Sequence, residues 1–544
     1  MHGVSVVAEI LKREGIEYLC AFPAQPLIEE CARIGIEPVL CRQERIGMGI
    51  ADGFSRTTNG KRLGVFTMQQ GPGAENAYPG AAQAFADNVP ILLLPAGVAT
   101  DRLHVTPEYD SVEGYRIVTK WGARANLTRR IPELMRKAFY QLRTGKGGPV
   151  LVELPDDIWE SELDGGLDYT PVVGNRMAPD QPDIEAIADV LLSNDSAIVH
   201  AGQGVMYAEA TDELVEFAEL LEIPILTTMT GKSGFPENHP LSLGSCMRSL
   251  QKGAAYFLKH SEVIFGIGCS FSKTGFGPQI PEGKRILHST IDYGDVNKDQ
   301  IAECSAIGDA KLVLRALIDE IKKRTNGQGR RNSDVVSKIA SLKKEWLDEW
   351  MPQLTSDEVP INQYRVIWDM LHSVDRDNTI ITHDSGSPRE QLVPFWECTS
   401  PRSYMGWGKS TQLGYGLGII MGAKLAEPDK LCINVMGDAA IGMVGMDIET
   451  AVRNKLGIIT VVFNNGAMAI ERGSMPEAAE KHLYLGGNYS DLAKSLGAWS
   501  QRVENPGDFI EVFNKAKENT KSGQPALIEV MVKEGFDFSR YPQI

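Results

Sequence analysis

Residues 431–468, LCINVMGDAAIGMVGMDIETAVRNKLGIITVVFNNGAM, decide the fold of the C-terminal part of this chain. Two hydrophobic runs, 431–436 and 458–463, flank a segment in which apolar residues recur with helical spacing. This order predicts two parallel strands joined by a helix. Asp438 and Asn465 each follow a predicted strand closely, and α/β sheets bind ligands at the carboxyl ends of their strands. We therefore expect these two side chains to lie close together at one sheet edge.

The pair formed by Asp438 and Asn465 has the chemistry of a metal site. A carboxylate oxygen and an amide oxygen, with backbone carbonyls and water, suit a hard octahedral cation such as Mg²⁺ in contact with a diphosphate. An aspartate at a helix N-cap and an asparagine in a turn would explain either residue alone, but not their pairing. The sequence therefore predicts a Mg²⁺ site at this edge.

Length and composition bound the class of protein. The 544 residues suffice for three or four domains, and 43% hydrophobic with 23% charged residues is ordinary for a globular protein. The net charge of -16 argues against nucleic acid or an anionic membrane as the main partner. Eight cysteines without a Cys-x-x-Cys pair indicate reduced thiols. Without a signal-peptide pattern or an apolar run of about 18 residues, we expect a cytoplasmic protein with no membrane partner.

Alternating helical and strand patterns predict an α/β fold of three doubly wound parallel-sheet domains. The predicted units are residues 1–165, 183–325 and 361–544, and residues 326–360 form a linker with a charged helix at 335–350. In the first unit the predicted helices are 3–14, 27–34 and 73–85, and the predicted strands are 18–22, 63–67 and 90–95. The second unit begins with a strand at 196–200 and ends with a helix at 311–323.

The first and third units share one plan. Residues 65–97 and 433–466 both contain a strand, a glycine-containing turn, a helix, an asparagine-containing turn and a second strand. One explanation is that any two βαβ units look alike. The other is that two related end domains enclose a different middle domain.

Several motifs, in this order, resemble the thiamine diphosphate (ThDP) enzymes of the acetolactate synthase and 2-oxo acid decarboxylase superfamily. They are Arg-Gln-Glu at 42–44, Gly-Pro-Gly-Ala-Glu-Asn at 71–76, Ala-Phe-Ala-Asp at 84–87, Gly-Tyr-Gly at 414–416 and the span from Asp438 to Asn465. The resemblance covers nearly the whole chain. It implies a pyrimidine-binding first domain, a central Rossmann-like domain and a diphosphate-binding third domain.

The resemblance also implies a set of cofactor contacts. Asp438, Asn465 and the backbone carbonyl of Ala467 would ligate Mg²⁺, while Ala439 and Ala440 would lie near the diphosphate at a helix start. Family members usually have glycine at the position of Ala439. The remaining predicted contacts with ThDP are Pro72, Asn76, Gly386, Ser387, Thr411, Leu413, Gly437 and Met468.

Two of these contacts have alternative explanations. In the family, a large aliphatic residue at the position of Leu413 wedges between the cofactor rings, and the carbonyl two positions earlier, here Thr411, binds the 4'-amino group. A leucine at a glycine-rich helix start is otherwise an ordinary core residue. The Asp-Ser-Gly sequence that ends at Gly386 would also form a plain turn.

Glu44 occupies the family position of the carboxyl group that contacts N1' of the pyrimidine. This contact makes the cofactor's own 4'-imino nitrogen a base that removes the C2 proton. A charge-assisted hydrogen bond there is worth roughly 1.5–3 kcal/mol. The alternative is a surface salt bridge between Glu44 and Arg42 or Arg45.

The chain departs from acetolactate synthases at positions near the substrate. Glu471 replaces an apolar residue and matches a glutamate of pyruvate-decarboxylase-type enzymes, so it is a candidate acid/base group if burial raises its pKa. The alternative is an exposed glutamate beside Arg472. Gln25 would offer a neutral amide to a substrate oxygen. His104 is the only imidazole near the first-domain motifs, and a loop role suits it better than catalysis.

The middle domain lacks the Arg-Phe-Asp-Asp-like stretch with which many synthases bind FAD. Residues 268–273 read Gly-Cys-Ser-Phe-Ser-Lys instead, and Gly-Gln-Gly at 202–204 is a lone G-x-G. The sequence therefore argues against FAD and leaves an ADP-like or CoA ligand open.

The resemblance implies a ThDP- and Mg²⁺-dependent enzyme that decarboxylates a small 2-oxo acid. It would then protonate the resulting enamine or transfer it to an acceptor carbonyl. Acetolactate synthase is the alternative activity, and a non-catalytic scaffold or regulatory subunit and a nicotinamide-dependent oxidoreductase are remote ones. Because the family builds its site across two subunits, a homodimer or a dimer of dimers is expected.

Overall fold

The computed structural model describes residues 1–23, 26–331 and 334–541, which fold around three six-stranded sheets. Every strand pair in these sheets is parallel. Crossover segments, most of them helical, connect successive strands, as parallel pairing requires. The predicted fold class, three α/β units with parallel sheets, is confirmed.

The first sheet has the strand order β2-β1-β3-β4-β6-β5. Its strands are β1 (Tyr18–Phe22), β2 (Glu37–Leu40), β3 (Gly64–Met68), β4 (Ile91–Gly97), β5 (Trp121–Arg124) and β6 (Val150–Pro155). The helices around it are α1 (Gly3–Arg13), α2 (Pro26–Arg33), α3 (Glu44–Thr57), α4 (Pro72–Ala86), α5 (Ser111–Gly114), α6 (Ile131–Arg143) and α7 (Asp156–Glu160).

The middle sheet has the order β12-β11-β10-β7-β8-β9, the 3-2-1-4-5-6 order of Rossmann-like sheets when read from β9. Its strands are β7 (Ala197–Ala201), β8 (Ile225–Thr228), β9 (Ser242–Cys246), β10 (Val263–Ile267), β11 (Arg285–Thr290) and β12 (Ala302–Ile307). The helices are α8 (Gln181–Leu192), α9 (Gly204–Tyr207), α10 (Thr211–Leu221), α11 (Lys252–His260) and α12 (Ala310–Arg324).

The third sheet has the order β14-β13-β15-β16-β18-β17. After α13 (Val335–Leu354), its strands are β13 (Thr379–His383), β14 (Tyr404–Met405), β15 (Leu431–Gly437), β16 (Ile458–Asn464), β17 (Trp499–Val503) and β18 (Ala526–Met531). The helices are α14 (Gln363–Leu371), α15 (Ser387–Phe395), α16 (Tyr415–Ala426), α17 (Asp438–Val444), α18 (Ile448–Arg453), α19 (Ala479–His482), α20 (Tyr489–Ser495) and α21 (Phe509–Thr520).

The first and third sheets have the same topology. Numbered within each unit, both have the strand order 2-1-3-4-6-5, whereas the middle sheet differs. Resemblance between any two βαβ units does not require all six strands to match. The topology therefore favours two related end domains around a different middle domain.

Both faces of the first sheet are covered, because neighbouring residues along a strand belong to separate buried clusters. Val65 packs in a cluster with α1 and α6, while Phe66 packs in a cluster that also contains residues of the third sheet. The shared cluster forms where α3 packs on α16. A Cβ atom at Gly53 would lie 2.1 Å from the carbonyl oxygen of Ile419, so the close approach of these helices depends on glycine.

The charged helix predicted for the linker is α13, and it extends four residues beyond the predicted end at 350. Its apolar side is packed rather than solvated, since Trp346 is only 2% exposed and stacks on Phe395. The segment after β18 also folds back, because the Trp346 indole donates a hydrogen bond to Ser539 Oγ (2.9 Å). The domain boundaries themselves stay predictions. Within the described residues, no helix is both long and apolar enough to cross a membrane.

Candidate active site

A cavity of about 250 Å³ lies at the carboxyl edge of the third sheet, and all the predicted third-domain site residues line it. These residues are Gly386, Ser387, Thr411, Leu413, Gly437, Asp438, Ala439, Ala440, Asn465, Ala467, Met468 and Glu471. They come from the ends of four neighbouring strands and the loops that follow, which is why a parallel sheet brings them together.

Asp438 and Asn465 are neighbours in space. The backbone N–H of Ala467 donates to both side chains, at 3.2 Å to Asp438 Oδ2 and 3.1 Å to Asn465 Oδ1. Burial raises the pKa of Asp438, which is 3% exposed, while backbone N–H groups such as that of Ala439 act in the opposite direction. A carboxylate, an amide and a backbone carbonyl supply hard oxygen donors, so the residues present fit Mg²⁺.

The described residues contain no group of three or more His, Cys, Asp and Glu side chains that could hold a metal ion. The predicted Mg²⁺ site does not require such a group, because Asp438 is the only one of its three predicted ligands that carries a carboxylate. A search for clustered acidic and imidazole side chains alone would miss such a site.

Two helix starts face the cavity and fit a diphosphate. Helix α17 begins at Asp438 after Gly437, and α15 begins at Ser387 after Gly386. Gly386 has φ 89°, and a Cβ atom there or at Gly437 would meet nothing within 4 Å, so both glycines border open space. Free N–H groups at helix starts favour anions.

The loop with Thr411 and Leu413 is held by a residue that the sequence analysis did not single out. Asp384, directly after β13, accepts hydrogen bonds from the N–H groups of Gly414 (2.8 Å) and Gly416 (3.0 Å). Burial raises the pKa of Asp384 to about 7. Its place at a strand end, like that of Asp438, was the signal available in the sequence.

Glu44 is the first residue of α3 and is only 4% exposed. Burial raises the pKa of this carboxyl group, while a hydrogen bond with Asn76 acts in the opposite direction. Its basic neighbour Arg42 pairs with Glu449 at 3.3 Å instead, and Arg45 Nε has no hydrogen-bond partner among the described residues. Among the described residues, Glu44 therefore forms no salt bridge with Arg42 or Arg45.

Glu44, Pro72 and Asn76 do not line the 250 Å³ cavity of the same chain. The structure thus brings together the predicted diphosphate half of the site, while these three predicted pyrimidine-binding residues are not part of the wall of this cavity. Gln25 lies outside the described residues. His104 has a side chain that is 77% exposed and is 3.9 Å from Asp110, so it does not join either half.

Glu471 ends the 3₁₀ turn Ala469–Glu471 and is half-buried at the cavity wall. Ser474 Oγ donates a hydrogen bond to its Oε2 (3.3 Å). Arg472 does not pair with it, because its guanidinium group binds Glu534 at 2.7 Å. The geometry agrees better with a group that faces the site than with an exposed glutamate beside an arginine.

A second, larger cavity of about 710 Å³ lies against the middle domain and the first domain. Gly202, Gly204 and Gly268, from the segments considered for FAD, contribute to its wall. It opens at the carboxyl ends of middle-sheet strands, where α/β sheets bind ligands.

Three family profiles match the chain. They are described as the N-terminal TPP binding domain (residues 1–114), the central domain (residues 184–317) and the C-terminal TPP binding domain (residues 384–530) of thiamine pyrophosphate enzymes. Thiamine pyrophosphate is another name for ThDP.

Curated relatives match over nearly their full length. The probable acetolactate synthase large subunit of Methanococcus aeolicus is 28% identical over 100% of this chain and 94% of its own. That of Methanocaldococcus jannaschii is 29% identical, covering 98% of this chain and 92% of its own. The glyoxylate carboligase of Escherichia coli O157:H7 is 25% identical, covering 98% and 93%. Three matched domains in the family's order, on three sheets of the matching kind, show that this chain belongs to the thiamine pyrophosphate-dependent enzymes.

Proposed function

We propose that this enzyme is a ThDP- and Mg²⁺-dependent C–C bond lyase or carboligase. It would decarboxylate a small 2-oxo acid and either protonate the remaining fragment or join it to an acceptor carbonyl. The observation that carries this proposal is the pair Asp438 and Asn465, whose side chains accept hydrogen bonds from one backbone N–H at the cavity wall.

The chain's own residues divide the work between two regions. Asp438, Asn465 and the carbonyl of Ala467 would hold Mg²⁺, and the starts of α15 and α17 would bind the diphosphate. ThDP, when bound, supplies the electron sink for breaking the bond next to a carbonyl. Leu413 would support the cofactor between its two rings.

Glu44 would hold a proton or a strong hydrogen bond at N1' of the pyrimidine. Burial favours the neutral carboxyl group, so Glu44 retains a proton to a higher pH than an exposed glutamate does. Asn76 contacts the same carboxyl group and would position it. Glu471, which lines the cavity, would move the proton to or from the substrate fragment.

We further propose that two copies of the chain build each site, as a homodimer or a dimer of dimers. The support is that Glu44 is not among the residues that line the cavity with Asp438 in one chain. A second copy would supply the pyrimidine-binding residues Pro72 and Asn76 together with Glu44.

The product distribution tests the reaction. The protein is incubated with pyruvate, ThDP and Mg²⁺, and acetaldehyde, acetoin and acetolactate are separated. Because Glu471 stands where synthases have an apolar residue, we expect acetaldehyde or acetoin. Acetolactate as the only product would establish the alternative that the names of the methanogen relatives suggest. If none of the three forms, glyoxylate is the next donor to test, given the resemblance to glyoxylate carboligase.

Calorimetry with ThDP and Mg²⁺ tests the non-catalytic alternative, since a scaffold protein that has lost the cofactor would not bind it. FAD is left out of the proposal because residues 268–273 lack the family's FAD-binding stretch. Flavin absorbance in the purified protein would contradict that choice.

A further inference from the structure

Arg389 is a buried cation with unused hydrogen-bonding capacity. It lies in the first turn of α15, lines the 250 Å³ cavity and is 2% exposed. Its Nε and Nη1 have no hydrogen-bond partner among the described residues, and its Nη2 lies 3.9 Å from Glu390. A buried guanidinium group left in this state is costly unless a ligand or water completes it.

The surroundings of Arg389 leave positive charge in excess. Glu390 is the paired carboxylate, but its Oε2 already accepts a hydrogen bond from Ser249 Oγ (2.5 Å) and forms an ion pair with Arg540 Nη2 (3.1 Å). Asp384 also acts on Arg389 electrostatically, yet its oxygens are occupied by backbone N–H groups. The amide of Gln391, fully buried at the same cavity, has no partner on either atom among the described residues.

These groups lie on the side of the cavity that faces the middle domain. The guanidinium carbon of Arg389 is 4.2 Å from the ring centre of Phe276, whose carbonyl accepts a hydrogen bond from the N–H of Arg248. Arg540 comes from the segment after the last strand. Arg389 and Gln391 lie two and four residues after Ser387, the predicted diphosphate contact at the start of α15. Phe276 and Arg540 come from segments that carry no predicted ThDP or Mg²⁺ contact.

We propose that Arg389, with Gln391 and Arg540, binds a substrate carboxylate that is retained in the product. This inference rests on the proposed function. A guanidinium group binds carboxylates through paired N–H donors, and Nε with one terminal nitrogen provides such a pair. The ligand is either the carboxylate of an acceptor 2-oxo acid or the distal acid group of a donor.

The carboxylate that leaves as CO₂ is a poor ligand for this cluster. Its negative charge moves away as the C–C bond breaks, so a cation paired with it would stabilise the bound substrate more than the transition state. A retained carboxylate keeps its charge throughout the reaction. Binding it would orient the substrate without raising the barrier to decarboxylation.

The test uses three variants of the full chain. Arg389→Gln removes the charge, Arg389→Lys keeps the charge but loses the paired donors, and Arg285→Gln is a control. Arg285 also pairs with a glutamate, Glu303 at 2.7 Å, but it is the exposed first residue of β11 in the middle sheet. Calorimetry first measures ThDP affinity with Mg²⁺. We expect it to be unchanged in every variant, and a large loss in Arg389→Gln would make Arg389 a diphosphate ligand and overturn the proposal.

Kinetics then separate the two sources of the carboxylate. With pyruvate as donor, glyoxylate is compared with acetaldehyde as acceptor, and 2-oxoglutarate is compared with pyruvate as donor. Each comparison gives a ratio of kcat/KM values, glyoxylate over acetaldehyde for the acceptor and 2-oxoglutarate over pyruvate for the donor. We expect Arg389→Gln to lower one of these two ratios by at least about tenfold, and Arg389→Lys to lower it by less. The ratio that falls identifies the source. Two unchanged ratios would overturn the proposal.

Equilibrium binding gives a readout that does not depend on turnover. Oxamate and glutarate, which the enzyme cannot decarboxylate, are titrated into each variant with and without ThDP. One of them should bind at least about tenfold more weakly to Arg389→Gln than to the wild type. If Arg389→Gln does not fold, Arg389→Lys decides the question, and equal binding of both ligands would refute the inference. Failure of the wild type to bind ThDP would instead refute the proposed function.

Discussion

Replacing Glu44 by glutamine keeps the size of the side chain and removes its ionisable carboxyl group. The structure holds this group at 4% exposure with a raised pKa, next to Asn76, so water competes little for its hydrogen bonds. A hydrogen bond that involves a charged group is worth about 1.5–3 kcal/mol. At 1.36 kcal/mol for each factor of ten, losing it in the transition state lowers kcat about 10- to 150-fold.

The assay measures kcat for decarboxylation of the accepted 2-oxo acid at saturating ThDP and Mg²⁺. Calorimetry on the same samples separates weaker cofactor binding from slower turnover. Glu9→Gln is the matched control, because Glu9 pairs with Arg13 on the outside of the first domain. A Glu44→Gln enzyme with full cofactor occupancy and a kcat within twofold of the wild type would refute the role of Glu44.

Four further predictions concern the metal, the assembly and the fold. Asp438→Ala should weaken ThDP binding in the presence of Mg²⁺ by roughly tenfold or more, because the only charged metal ligand is lost; equal affinity in calorimetry would exclude a Mg²⁺ ligand here. Co-expression of Glu44→Gln chains with Asp438→Ala chains should restore activity that each variant lacks alone, whereas no recovery would mean that one chain supplies both residues. Gly53→Ala should destabilise the protein by about 1–3 kcal/mol, since the added Cβ would lie 2.1 Å from a backbone oxygen, while Gly507→Ala, with nothing within 4 Å, should not lower the melting temperature. Because folding raises the pKa of Asp384 to about 7, the stability that its protonated carboxyl group contributes is present at low pH and is lost as pH rises from about 4 to about 7. Asp384→Asn should therefore reduce the fall in melting temperature across this pH range. An unchanged dependence of melting temperature on pH would contradict the raised pKa.

Local patterns in the sequence determined the elements and the metal pair. Hydrophobic runs placed the strand Tyr18–Phe22 without error and the strand Leu431–Gly437 within one residue, because burial on both faces of a parallel sheet produces continuous apolar segments. The prediction that Asp438 and Asn465 lie close together followed from one rule, that parallel strands align their carboxyl ends. The family assignment also came from motifs read in order.

Tertiary structure alone decided which groups are buried, paired or left without a partner. Arg389 and Arg540 meet at Glu390 although about 150 positions separate them, and no periodicity links the two segments. The packing of α13 and the partner of Arg472 depended in the same way on contacts between distant elements. Periodicity reports which face of an element avoids water, whereas the pairing of side chains depends on how loops from separate units pack together.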